Sequence, residues 1–213
     1  MTAVNHRARL DEIFALAPVI PVITIETAAA APLLARALVA GGLRAIEITL
    51  RTPAAADAAR AIVTEVPEAI VGIGTVLSPA DYDLAADIGA AFAISPGMSP
   101  ELLDHAAAGS LPFVPGIQTA SDLIACVTRG FELVKFFPAT AAGGLSAIDA
   151  LSGPFPSVRY CPTGGISEAN AAQWLAHPRI VAVGGSWIAP KNDIAAGNWS
   201  AIEARARAAT RLR

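Results

Sequence analysis

Lysine is nearly missing from this chain. Of 213 residues, 15 are lysine or arginine, and only two of these are lysine, Lys135 and Lys191. Charge of either sign is scarce: Asp, Glu, Lys and Arg make up 15% of the residues, below the usual quarter. The net charge of −3 offers no basic field for nucleic acid or for an anionic membrane surface. No uncharged apolar run reaches the roughly 18 residues of a membrane span. Residues 1–10 hold no apolar core of a secretory signal, so none is expected. Cys126 and Cys161 lie far apart and match no metal or redox spacing, which suits two reduced thiols in a cytoplasmic protein. His6, His105 and His177 fall in the leading segment or on expected helices, and no His/carboxylate cluster has ligand spacing, so no metal is expected. An early glycine-rich nucleotide turn, the mark of an open doubly wound sheet, is also missing, as is any low-complexity linker.

Alanine is abundant, at 48 residues, and favours helix. After a leading helix over 5–16, with Leu10, Ile13, Phe14 and Ala17 on one side, an alternation sets in. Apolar strand-like runs begin near Val19, Ala45, Ile70, Ala91, Phe113, Glu132, Val158 and Ile180. Between and after them lie segments of helical spacing: 28–40, 54–66, 79–88, 100–107, 120–128, 145–151, 168–175 and 199–209. Eight strand-then-helix units predict an α/β fold, a single (β/α)₈ TIM barrel over residues 1–213 with an N-terminal helix in front. In such a barrel the chemistry sits at the C-terminal ends of the strands. Polar and special residues gather at those ends here, which read TIE, TLRT, GIGT, ISPG, VPGIQT, KFFPAT, CPTGG and VGGS.

One of those ends carries a charge inside an apolar run. In FELVKFFPAT, Lys135 stands between Val134 and Phe136. Burying an ammonium is costly, and a lysine that is neutral part of the time is a nucleophile toward carbonyl carbon. The plain alternative is an edge-strand lysine that reaches back to water. On IEITLRT, alternation puts Glu47, Thr49 and Arg51 on one face. If that face points inward, Glu47 meets Lys135 as an acid/base pair, or the three charges form only an internal bridge. Two cations for one anion leave room for an anionic ligand. Two glycine turns, CPTGGIS and VGGS, follow the seventh and eighth strands, where barrel enzymes hold phosphate. Their backbone N–H groups and hydroxyls make Thr163, Gly164, Gly165, Gly185 and Ser186 candidate phosphate contacts.

From about Pro18 to Pro190 the chain resembles the bacterial 2-keto-3-deoxy-6-phosphogluconate (KDPG) aldolases, which also act on 4-hydroxy-2-oxoglutarate. GGLRAIEITLRT, EAIVGIGTVLSP, FAISPGMSP, PFVPGIQT, VKFFPA, CPTGGIS and VGGSW carry the resemblance. It implies that Lys135 forms a Schiff base with pyruvate and that Glu47 is the general acid/base. It implies that Arg51 and Thr75 contact the keto-acid carboxylate and that Pro96 and Phe137 line the pocket. Gly164, Gly165 and Ser186 would hold the phosphate. It further implies a cytoplasmic homotrimer that acts on a small phosphorylated keto acid without a metal or other cofactor. Two other readings stay open on the residues themselves: a phosphosugar isomerase or epimerase with Lys135 as an electrostatic partner, and a non-catalytic phosphate-binding barrel. Within the aldolase reading, the galactonate-derived substrate remains the alternative to the gluconate-derived one.

Overall fold

The computed structural model describes residues 3–212. The chain begins with α1 (Ala3–Ala15), β1 (Val19–Ile23), a 3₁₀ turn (Ala28–Ala30), α2 (Ala31–Ala40), β2 (Ala45–Thr49) and α3 (Ala55–Glu65). It continues through β3 (Ile70–Gly74), α4 (Pro79–Ile88), β4 (Phe92–Ile94), α5 (Pro100–Ala108), β5 (Phe113–Val114), β6 (Gly116–Ile117) and α6 (Ala120–Val127). The last third holds β7 (Leu133–Phe136), α7 (Gly144–Ser152), β8 (Arg159–Pro162), α8 (Glu168–Leu175), β9 (Val183–Gly185), α9 (Lys191–Ala196) and α10 (Trp199–Ala209). Among the described residues no helix is long and apolar enough to cross a membrane.

The strands form two parallel ladders, β5-β4-β3-β2-β1-β9 and β6-β7-β8, in a curled α/β arrangement. Eight strands in one sheet were expected; among the described residues nine segments in two sheets are found. The difference lies at Pro115, which has no N–H to donate. Before it, Val114 accepts from Ser95 N on the first sheet (3.2 Å). At it, the Pro115 carbonyl accepts from Lys135 N on the second (2.9 Å). One expected strand therefore passes from sheet to sheet. At the other junction, isolated parallel bridges join Tyr160 to Ile180 and Thr163 to Gly184.

Parallel strands covered on both faces are apolar on both, and two clusters result. Outward residues such as Ile46, Ile48, Ile73, Val134 and Phe136 pack with Leu34, Leu38, Ile62, Leu103 and Ile202 of the helices. The second cluster joins the N-terminal parts of the strands (Ile20, Ala45, Phe92, Leu133) to Leu10, Ile13 and Phe14 of α1. Phe14 meets Phe92 edge-on, ring centres 5.7 Å apart. Burying a side chain of this size contributes about 1.5–3 kcal/mol. The leading helix thus seals the N-terminal end of the strands and leaves the C-terminal end to polar residues. Short hydroxyl side chains start the helices there: Ser78, Ser99 and Thr119 accept from Asp81 N, Leu102 N and Asp122 N, each at 3.2 Å. Helix α9 was not anticipated, since six residues are too few to show a period. Its signals were Pro190 before it and Gly197, at φ 66°, after it.

Both cysteines are buried and free, Cys126 on α6 and Cys161 on β8. Burial pushes each thiol up to about 12. Burial also raises Tyr82 and Tyr160. All four stay neutral in the fold, while an unfolded thiol ionises near 9. The contribution of the two thiols to stability is therefore full below pH 9 and is lost as pH rises from about 9 towards 12. A thiol-specific chromogenic reagent at pH 8 is expected to find no reactive cysteine in the native protein and two in guanidinium. The urea midpoint should fall between pH 8.5 and 10.5. A thiol that reacts promptly in the native state would contradict this burial.

Candidate active site

Lys135 is the third residue of β7 and Glu47 the third of β2, so the two belong to different sheets. Lys135 Nζ donates to Glu47 Oε1 at 3.1 Å, and the two residues are 2% and 1% exposed. The face assignment from alternation holds, and the edge-strand alternative for Lys135 does not. Two charges taken out of water need each other: removing one partner of such a pair typically costs about 3–5 kcal/mol. The Phe137 ring lies under the amine, its centre 5.6 Å from Nζ, within cation–π range.

Register fixes what flanks the lysine. Gly116 pairs with Lys135 on one side and Cys161 on the other. Gly116 has no room for a side chain, because a Cβ there would lie 2.3 Å from Pro96 C and 2.4 Å from Gly97 N. The backbone of the ISPG turn therefore rests on the strand beside Lys135. Buried Ser95 holds it, accepting from Gly116 N (3.0 Å) and donating to the Gly97 carbonyl. Pro96 is so placed next to the lysine strand. Ser95 carries no sequence signal beyond being a serine at a strand end.

Arg51 follows β2 and is exposed. Its Nε donates to Thr75 Oγ1 at 3.3 Å. Among the described residues it makes no ion pair, so the bridge from Arg51 to Glu47 is not formed, and its fork is open to an anion. Thr75 has φ 62°, left-handed for a β-branched residue, a conformation that costs on the order of 1–3 kcal/mol and gathers at functional sites. Glu26, the other carboxylate at a strand end, lies on the rim with Lys191, 3.1 Å from its Nζ, and both side chains are 64% exposed.

The two glycine turns come together. The Thr163–Gly184 bridge joins them, and Ala139 N and Thr140 N donate to Thr163 O (2.8 Å) and Gly164 O (3.1 Å), lacing the loop after Lys135 onto the first turn. Gly164 and Gly165 have φ of 99° and 77°, values that favour glycine. Asn170, not singled out from the sequence, steadies this turn: its Nδ2 donates to Gly165 O (3.1 Å), and its Oδ1 accepts from Ser167 N (2.8 Å). Gly185 is buried and Ser186 exposed at the end of β9. The histidines are elsewhere, with His105 on Asp83 (2.7 Å) and His177 on Asp149 (3.0 Å). No group of three or more His, Cys, Asp and Glu side chains among the described residues could hold a metal ion.

A buried amine, a carboxylate in hydrogen-bond reach and an open guanidinium at the C-terminal ends of parallel strands are the equipment of enzymes that act on carbonyl carbon through lysine. Comparison with known proteins agrees. A profile described as KDPG and KHG aldolase matches residues 10–205. The KHG/KDPG aldolase of Escherichia coli (strain K12) is 47% identical over 205 residues, 96% of either chain. A KDPG aldolase from Legionella pneumophila, solved with pyruvate captured at low pH as a covalent carbinolamine intermediate, superposes with a TM-score of 0.92 at 42% identity, covering 94% of this chain and 97% of that one. The 2-keto-3-deoxy-6-phosphogluconate aldolase of Zymomonas mobilis ZM4, solved with 3-phosphoglycerate, gives 0.90 at 43%, covering 96% of both. The chain belongs to the KDPG and KHG aldolase family, lyases that carry out aldol cleavage.

Proposed function

We propose that this chain is a metal-independent Schiff-base aldolase that cleaves 2-keto-3-deoxy-6-phosphogluconate to pyruvate and glyceraldehyde 3-phosphate, and that it also cleaves 4-hydroxy-2-oxoglutarate. The buried Lys135–Glu47 pair carries the reading. Lys135 Nζ attacks the C2 ketone to give a carbinolamine, and loss of water leaves an iminium. Glu47 takes the C4 hydroxyl proton as the C3–C4 bond breaks. That electron pair moves into the iminium and makes an enamine. Glu47 then protonates C3, and water releases pyruvate. Arg51 and Thr75 hold the carboxylate, Pro96 and Phe137 wall the pocket, and Thr163, Gly164, Gly165, Gly185 and Ser186 take the phosphate. The carbinolamine held by the Legionella relative supports the first step.

The same reading takes residues 1–213 as one domain and the two sheets as one closed (β/α)₈ barrel. The passage at Pro115 and the bridges between β8 and β9 support closure at the two junctions. A cytoplasmic homotrimer is the assembly proposed.

The direct test is pyruvate release, coupled to lactate dehydrogenase, from the gluconate-derived, galactonate-derived and 4-hydroxy-2-oxoglutarate substrates. The gluconate-derived compound is expected to have the highest kcat/KM, and no pyruvate from any of the three would overturn the reading. Ser186→Ala isolates the phosphate. A hydrogen bond to a charged group is worth about 1.5–3 kcal/mol, so kcat/KM for the phosphorylated substrate should fall roughly 10- to 150-fold. The value for 4-hydroxy-2-oxoglutarate should stay near wild type. Equal losses on both would put the phosphate elsewhere.

A further inference from the structure

Gly74, the last residue of β3, is buried, and its backbone gives no reason for glycine, since it is not among the glycines of positive φ. A glycine inside a strand has no side chain to pack and often marks a close approach. The approach here is made by Glu47. A Cβ on Gly74 would lie 2.1 Å from Glu47 Oε1 and 2.7 Å from both its Cδ and its Cγ. That oxygen is the one that accepts from Lys135 Nζ. The carboxylate thus leans across the neighbouring strand, over the place where β3 has no side chain, on its way to the lysine. Gly74 cannot step back: its carbonyl accepts from Leu50 N of the β2 end (2.9 Å), and Thr49 is its register partner. Gly72, two residues earlier on the same strand, has a different neighbour, the ring of Phe92 at 2.2 Å from a built Cβ.

We infer that Gly74 is a positioning residue for the acid/base carboxylate: its empty side-chain place is the seat that aims Glu47 at Lys135 and at the carbons of the bound keto acid. The chemical half of this statement rests on the aldolase reading, and the steric half does not. Gly74→Ala should displace Glu47 while leaving Lys135 its strand, its ring neighbour and its access to pyruvate.

Two measurements on the full chain decide it. The first is a stability cycle. Gly74→Ala is expected to lower the urea midpoint in the wild-type background and to lower it far less in Glu47→Ala, where the new methyl fills the vacated space. Equal losses in both backgrounds would place the clash elsewhere and overturn the seat. Should Gly74→Ala not fold alone, Gly74→Ala/Glu47→Ala is expected to be about as stable as Glu47→Ala, which carries the same unpaired Lys135, and a double variant far less stable than that single variant overturns the proposal as well. The second measurement is a ratio. Exchange of the pyruvate methyl protons with deuterated water should fall tenfold or more relative to borohydride trapping of pyruvate at Lys135. Gly72→Ala, which presses on a core ring, should lose stability with that ratio near wild type. A wild-type ratio in Gly74→Ala overturns the positioning role. If the wild-type chain traps no pyruvate at all, the aldolase reading fails, and the stability cycle still decides the seat.

Discussion

Lys135→Arg is expected to abolish both aldol cleavage and the labelling of the chain by pyruvate and borohydride. The guanidinium stays protonated and cannot attack a carbonyl. Removal of a covalent nucleophile costs roughly 10⁴–10⁶-fold or more in kcat, which brings the variant to background. Arginine suits the test better than a neutral residue, because it leaves Glu47 a cation. A neutral replacement would strand a buried carboxylate and confound chemistry with a stability loss of about 3–5 kcal/mol. The wild-type chain provides its own control. Lys191 is the other lysine of the sequence, 64% exposed and paired with Glu26 on the rim. Mass spectrometry of reduced, digested protein should find the pyruvate adduct on the peptide containing Lys135 and none on that containing Lys191. An adduct on Lys191 alone, or cleavage surviving in folded Lys135→Arg, would remove the imine from the mechanism.

The parts of this fold that were legible in advance are those where one residue's chemistry conflicts with its surroundings or repeats at a fixed interval. Strand starts at Val19, Ala45, Ile70 and Phe113 stand where the apolar runs placed them, because strands buried on both faces must be apolar throughout. Lys135 stood out because a charge broke such a run in a chain that otherwise uses arginine. Glu47 stood out because alternation put it on the same inward face. What was illegible is complementarity between residues distant in sequence. Nothing in GIGT distinguishes the glycine that clears space for Glu47 from the one that packs on Phe92. Nothing near Ser95 announces Gly116, 21 residues later, as its partner. The split at Pro115 could be read as a strand with a proline in it, yet which sheet each half joins depends on neighbours that only the fold supplies. The left-handed Thr75 has no local sign either, since a threonine gives no preference for that conformation.

Glu47→Gln should separate making the imine from moving protons on it. Glutamine keeps the shape of the side chain and a carbonyl oxygen that can still accept from Lys135 Nζ, while it can no longer act as a base. The amine remains on β7 beside the Phe137 ring, so pyruvate should still be trapped by borohydride, although more slowly if Glu47 also relays protons during imine formation. Exchange of the pyruvate methyl protons requires a base at that carbon, and so does removal of the C4 hydroxyl proton in cleavage. General acid–base catalysis typically contributes about 10²–10⁴-fold, and both processes should fall by an amount in that range, further than trapping falls. Among the described residues, Glu26, the other carboxylate at a strand end, lies on the rim paired with Lys191 and not beside Lys135. Exchange in Glu47→Gln at close to the wild-type rate would strip Glu47 of the base role and pass it to an ordered water. The buried pair would then be a device for holding the lysine in the interior, joining a strand of one sheet to a strand of the other.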